Sequence, residues 1–78
     1  MRVIKEFAIS SSTKCTLFSW NGKYIIKLEQ GNLEQTYKVS EMDVTGVEEV
    51  EKLISSKDFL EASNRIFESM DSNLDSLF

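Results

Sequence analysis

Few residues in this sequence could carry out catalysis, and their spacing does not bring them together. The 78 residues include no histidine and one cysteine, so the usual general base near neutral pH and the common histidine- or cysteine-rich metal sites are absent. Cys15, Asp43 and Lys57 are the remaining candidates for a nucleophile or an acid–base pair. Their spacing matches no arrangement of nucleophile and base. We therefore predict that the protein is not an enzyme and that it holds no cofactor and no metal ion.

The carboxylates are explained more simply by a solvated helix than by a metal site. Asp71, Asn73 and Asp75 alternate like the oxygen ligands of a calcium loop, but the turning glycine and the terminal glutamate of such a loop are missing. Cys15 has no partner for an internal disulfide, and we expect it to be a small buried residue. A chain without disulfides fits a reducing compartment, and no segment approaches the roughly 20 apolar residues of a membrane span. These features predict a cytoplasmic protein with no membrane contact.

Two tight turns organise the first half of the sequence. Asn21-Gly22 and Gly31-Asn32 each separate two runs that are rich in Val, Ile, Thr and aromatic residues, as in hairpins with two-residue loops. The three serines at positions 10–12 form a looser break. We predict one α+β domain over residues 1–78, in which residues 1–40 form a four-stranded antiparallel meander. The strands are expected near Arg2–Ile9, Thr13–Trp20, Lys23–Glu29 and Leu33–Val39.

The second half of the sequence has helical spacing. Thr45 and Glu48 form a capping-box pattern, and no glycine or proline interrupts the residues after them. We predict helical structure over residues 44–72, packed on one face of the sheet, and a frayed tail over residues 73–78. A single long helix is favoured, and the alternative is a break at Ser55-Ser56, where Ser55 would cap a second helix. One apolar series steps by seven along the helix: Leu53, Leu60, Phe67 and Leu74.

The two-residue turns set the strand register, so the residues on each face of the sheet follow from the sequence. The first turn places Phe18 opposite Ile25, and the second turn places Ile26 opposite Tyr37. One face combines the apolar side chains that the helix must cover to form the core. The predicted core residues are Cys15, Leu17, Tyr24, Ile26, Leu28, Leu33, Tyr37 and Val39, extended by Val3, Phe7 and Ile9.

The opposite face, which we name the outer face, differs from an ordinary solvent-exposed sheet surface. Such a surface normally carries polar side chains, whereas this one combines lysines with apolar residues, and Phe18 pairs with Ile25 across two strands. An apolar cluster rimmed by lysines is typical of an interaction surface. The predicted binding residues are Lys14, Phe18, Trp20, Lys23, Ile25, Lys27 and Lys38.

The expected length of the helix suggests a dimer. A continuous helix from Thr45 to about Met70 would be roughly 39 Å long, whereas an eight-residue strand spans about 26 Å. Part of the helix would extend beyond the sheet and leave Leu60, Phe67 and Met70 uncovered unless a second chain packed on them. We therefore predict a homodimer through these three residues, and a small non-catalytic binding or dimerisation module as the function. The alternative is a monomer in which the helix breaks and folds back.

Single-stranded nucleic acid is the second possible partner of the outer face. Bases could stack on Trp20 and Phe18 while lysines contact the phosphates. The order of four strands and then a helix, which covers most of the chain, resembles that of the Whirly type of single-stranded DNA regulator, and the resemblance implies a helix-packed dimer. The formal net charge of −4 argues against such a partner, as do Glu29 and Glu34 on the same face. Residues 1–40 carry six Lys or Arg against three Asp or Glu, whereas residues 41–78 carry three against ten, so the acidity belongs to the helical half.

Overall fold

A computed structural model describes all 78 residues and confirms the α+β fold. Four antiparallel strands form one open sheet in the order β1-β2-β3-β4, and two helices follow. Neither helix is both long and apolar enough to cross a membrane. The elements are β1 (Arg2–Ala8), β2 (Lys14–Trp20), β3 (Lys23–Gln30), β4 (Leu33–Ser40), a 3-10 turn (Glu41–Asp43), α1 (Val47–Ile54) and α2 (Lys57–Asp75).

The two tight turns have the backbone conformations that their residues favour. Asn21 has a φ of 53° and Gly22 a φ of 76°, which is the pattern of a type I′ turn between β2 and β3. In the second turn only Gly31 has a positive φ, of 59°, as in a type II′ turn. The registers predicted from these turns are confirmed at every position that they set, including Phe18 opposite Ile25.

The first strand departs from prediction because it contains a β-bulge at Ile4. Val3 lies opposite Phe18, but Lys5 lies opposite Leu17, so one extra residue is inserted between the two pairs. A bulge moves the residues on one side of it to the other face of the sheet. The prediction that Val3 joins the core is therefore wrong: Val3 lies on the outer face and is 55% exposed, while Ile4 packs against the core.

The core lies between the helices and one face of the sheet. The other predicted core residues of the sheet are either fully buried or pack against the buried cluster, as expected. Helix α1 contributes Val50 and Ile54, and α2 contributes Phe67. Because both helices cover the same face, the outer face has no layer of protein over it. The buried cluster consists of Cys15, Leu17, Ile26, Leu28, Val50, Ile54 and Phe67.

The helical segment breaks at Ser55-Ser56, so the favoured prediction of one long helix is wrong and the alternative is correct. The Ser56 hydroxyl oxygen accepts a hydrogen bond of 3.2 Å from the Phe59 N–H, which makes Ser56, rather than Ser55, the N-cap of α2. The Ser55 N–H donates to the carbonyl oxygen of Glu51 and the Ser56 N–H donates to that of Leu53, each at 3.1 Å, and these two bonds close the end of α1. The break allows α1 and α2 to pack on one sheet face, where a single straight helix would extend past the strands.

The start of α1 also differs from the predicted capping box. Gly46 is the N-cap and offers no side chain, and the partner of Thr45 is Glu49 rather than Glu48. Both the Thr45 N–H and the Thr45 hydroxyl donate to Oε2 of Glu49 at 2.8 Å. The backbone hydrogen bond first, and then the hydroxyl, hold the pKa of Glu49 below its usual value.

Helix α2 runs antiparallel to the edge strand β4 and extends along the strand. The rings of Tyr37 and Phe59 meet edge to face at 5.5 Å between centroids. Gln35 Nε2 donates at 3.0 Å to the carbonyl oxygen of Ser63, and the Tyr37 hydroxyl donates to Gln35 Oε1. Further along, Leu74 lies by the turn that precedes β4. With these contacts along β4, the helix continues to Asp75, beyond the predicted end at residue 72.

The cap of α2 provides a test of the break. We expect Ser56→Ala to lower the free energy of unfolding by about 1 kcal/mol, because the Phe59 N–H loses its side-chain acceptor. Urea denaturation followed by circular dichroism measures the change. Ser55→Ala is the matched control, since Ser55 is exposed and does not cap α2. A larger loss for Ser55→Ala than for Ser56→Ala would contradict this assignment of the cap.

Candidate binding face of the sheet

Strand pairing arranges the outer face in four rows that cross the sheet. Residues opposite one another on neighbouring strands share a row, and side chains on one face come from every second residue of each strand. From the end at the Gly31 turn to the end at the Asn21-Gly22 turn, the rows are Ala8–Lys14–Glu29–Glu34, Glu6–Thr16–Lys27–Thr36, Val3–Phe18–Ile25–Lys38 and Trp20–Lys23–Ser40.

The apolar side chains of this face concentrate at the end near the Asn21-Gly22 turn. We name Val3, Phe18, Trp20 and Ile25 the apolar patch. Phe18 has Val3 on one side and Ile25 on the other, and Trp20 follows two positions further along β2. Trp20 is 50% exposed, whereas Ile25 is only 6% exposed because its neighbours cover it. The patch therefore presents one large, accessible aromatic side chain beside apolar side chains that are less exposed.

A shallow groove of about 260 Å³ runs beside the patch and across β3 and β4. It brings together five of the seven predicted binding residues, while Lys14 and Lys23 lie outside its lining. Sequence reasoning missed Met1 in the groove and Val3 in the adjoining patch. Only the bulge at Ile4 brings Val3 to this face, and nothing in the sequence marks its position. The groove is lined by Met1, Phe18, Trp20, Ile25, Lys27, Glu34, Thr36 and Lys38.

The lysines of the outer face fall into two groups. Lys14 Nζ lies 3.1 Å from Glu6 Oε1, and Lys27 Nζ lies 3.8 Å from Glu29 Oε1 and 3.5 Å from Glu34 Oε1. Lys23 and Lys38 take part in none of the ion pairs of the protein. These two unpaired lysines are the ones that adjoin the apolar patch.

The charge of the outer face is nearly balanced. Four lysines share it with Glu6, Glu29 and Glu34, and the carboxylates gather at the end away from the patch. A phosphate backbone is usually bound by a clear excess of basic residues. The outer face has no such excess.

The residues of the predicted helical interface are largely engaged in contacts within their own chain. Phe67 is 1% exposed and belongs to the core of its own chain, and Met70 packs against that core. Leu60 is half-buried. The prediction that these residues lie uncovered is wrong, because the break at Ser55-Ser56 lets α2 follow β4 instead of extending past it.

Cys15 is buried among apolar neighbours, and this burial raises its pKa from 9.0 to about 11. We expect the thiol to resist a disulfide reagent at mildly alkaline pH in the folded protein and to react only when the chain unfolds. The free energy of unfolding should decline as the pH rises from about 9 to 11, because the thiol loses its proton at a lower pH in the unfolded chain than in the folded chain. Labelling followed by mass spectrometry, with and without urea, checks this prediction. Rapid labelling without urea would show that Cys15 is accessible.

Comparison with models of known protein families, with curated proteins and with solved structures finds no match for this chain. The resemblance in element order to the Whirly type of regulator therefore gains no support from these comparisons. The arguments about function rest on the geometry of the outer face.

Proposed function

We propose that this protein is a small non-catalytic binding or dimerisation module whose contact surface is the apolar patch of the outer face. The observation that supports this proposal is an uncovered group of apolar side chains beside two lysines that lack carboxylate partners. Clustered apolar residues that remain exposed on a folded domain are typical of interaction sites. Tryptophan is also enriched among the residues that dominate binding energy.

The chemistry of the patch indicates its kind of partner. Trp20 offers a broad apolar contact, and Lys23 and Lys38 offer charges that are free to pair. A protein surface with apolar side chains next to carboxylates complements both features. The lone buried Cys15 is consistent with the cytoplasmic location that we also propose.

Single-stranded nucleic acid is the second candidate partner. It is favoured by the half-exposed Trp20 beside the unpaired Lys23, because a base stacked on an aromatic ring contributes about 1–3 kcal/mol. It is disfavoured by Glu29 and Glu34, which already neutralise Lys27. The two candidates predict different responses to salt, since binding to phosphates weakens steeply as salt rises.

Selection of peptides from a random library tests the proposed function directly. The library is selected on the immobilised protein, and the selected peptides are then tested on Trp20→Ala and on Leu53→Ala. Leu53 is the matched control, because it is an apolar side chain of similar exposure, 51%, on the helical side of the molecule. We expect apolar peptides with acidic residues that bind the Leu53 variant and lose affinity for the Trp20 variant.

The outcomes of this experiment separate the candidates. Peptides that bind both variants equally would contradict the proposed contact surface. A fluorescently labelled oligothymidylate that binds at low salt, loses affinity as salt rises and does not bind Trp20→Ala would favour nucleic acid instead.

A further inference from the structure

We propose that the patch binds a second copy of this chain, face to face, about a two-fold axis that runs parallel to the strands between β2 and β3. The inference rests on the proposed function, because it names the partner of the same patch. In this arrangement β2 of one copy lies over β3 of the other, and the two sheets pack as a sandwich about 10 Å thick. Its support comes from the cross-strand pairs of the outer face.

Apolar contact is self-complementary about this axis. Phe18 of β2 and Ile25 of β3 are opposite one another within the sheet. A two-fold axis between these strands places Phe18 of one copy over Ile25 of the other, and the reverse contact forms by symmetry. In the same arrangement Val3 lies over Lys38 of the other copy and Trp20 lies over Lys23, so the second copy covers the exposed half of Trp20.

Lys23 and Lys14 also find partners about the same axis. Trp20 pairs with Lys23 within the sheet, so each Lys23 lies over the indole of the other copy, where a cation–π contact can form. Lys14 and Glu29 are opposite one another in the same way. At the end of the face away from the patch, Lys14 of each copy therefore lies over Glu29 of the other. A two-fold axis across the strands at Ile25 would instead place Lys23 over Lys27 of the other copy. Complementarity therefore selects the axis that is parallel to the strands.

The helical side is a poor surface for self-association. Residues 41–78 carry three basic against ten acidic residues, so two copies of this side repel one another. The outer face carries four lysines and three glutamates, so its charge is nearly balanced and two copies of it can approach without such repulsion. Charge thus directs a second copy to the sheet.

The size of the face is sufficient for a dimer of moderate affinity. The sheet has four strands about 4.8 Å apart, each about seven residues long at about 3.3 Å per residue. Its flat area is therefore roughly 450 Å², and the uneven surface of the side chains adds to this value. Two such faces approach the lower limit of about 1,200 Å² for specific interfaces. We therefore expect an equilibrium between monomer and dimer in the micromolar range.

Sedimentation equilibrium over a range of concentrations measures this equilibrium. We expect the mass to rise from 9.0 kDa to about twice that value. Val3→Lys should shift dissociation to at least tenfold higher concentration, because it places an ammonium group over the unpaired Lys38 of the other copy. Leu53→Lys is the matched control on the helical side and should leave the equilibrium unchanged. Circular dichroism verifies that both variants fold.

A cross-linking experiment tests the direction of the axis. Lys23→Cys introduces one accessible thiol, since Cys15 is buried. In the proposed dimer the two positions lie about 11 Å apart, from sheets about 10 Å apart and strands about 4.8 Å apart. With the axis across the strands at Ile25 they would lie about 17 Å apart, because residue 23 of one copy would then lie over residue 27 of the other. A short bis-maleimide should therefore join two copies of the Lys23→Cys protein.

The results distinguish failure of this inference from failure of the proposed function. A monomer at every concentration overturns the self-association, while the selected peptides still test the patch independently. A dimer that Val3→Lys dissociates but that does not cross-link at residue 23 overturns the axis. A dimer that withstands Val3→Lys uses another surface and overturns the inference.

Discussion

Replacing Phe67 with alanine should lower the free energy of unfolding by about 3–5 kcal/mol, because it removes the largest fully buried side chain of the core. The ring packs in the buried cluster where α2 meets the sheet and α1. A cavity left at this position has no easy way to close, since the surrounding side chains belong to three separate elements. A domain of this size has only a few kcal/mol of stability, so we expect most molecules to unfold.

Urea denaturation measures this loss, and the neighbouring residue provides the control. Ile66 is 43% exposed and lies one position away, about 100° around the axis of α2 from Phe67. We expect Ile66→Ala to cost less than about 1 kcal/mol. Similar losses for the two variants would mean that the burial of α2 is misassigned, and that Phe67 is available to a partner after all.

Replacing Trp20 with alanine should leave the fold intact and weaken binding at the outer face by about 30-fold or more. That factor corresponds to the roughly 2 kcal/mol lost when a dominant interface residue is truncated. Half of the Trp20 side chain is exposed and the residue is not part of the buried cluster, so the monomer loses little packing. The partner, in contrast, loses the main aromatic contact of the patch.

Two measurements are needed for this second prediction. Circular dichroism during urea denaturation follows the fold, and sedimentation equilibrium follows binding between copies. Leu53→Ala should preserve both properties, since Leu53 lies on the helical side of the molecule. An unfolded Trp20→Ala protein would mean that Trp20 is part of the core and that the two faces of the sheet are reversed.

Local sequence determines most of the sheet. Asn21 and Gly22 tolerate the positive φ angles that a tight turn requires, and the turn then sets the register of seven residue pairs between β2 and β3. Because side chains alternate between faces, the register in turn assigns Phe18, Ile25 and Trp20 to the outer face. This chain of consequences made the candidate binding face predictable.

The bulge at Ile4 could not be predicted in the same way. The loop between β1 and β2 contains three serines and no two-residue turn, so it does not fix the register of β1. Val3 and Ile4 are both β-branched apolar residues, and either could fill the core. Packing of the whole sheet against the helices selects Ile4, and that information is not local.

The helical half was predicted less well for a related reason. The heptad series that contains Phe67 fits one straight helix as well as two packed ones. What decides between them is the contact of α2 with β4, where Gln35 bonds to the Ser63 carbonyl and Tyr37 packs on Phe59. Such long-range contacts follow from the assembled structure and override local helical preference.

The fluorescence of Trp20 tests the central claim most directly, because it is the only tryptophan of the chain and lies within the patch. Its emission and its quenching by iodide can be measured as the protein is concentrated, or as a selected peptide is added. The account predicts that emission shifts to shorter wavelength and that quenching falls as the complex forms. Emission and quenching that stay constant while the complex forms would contradict binding at this face.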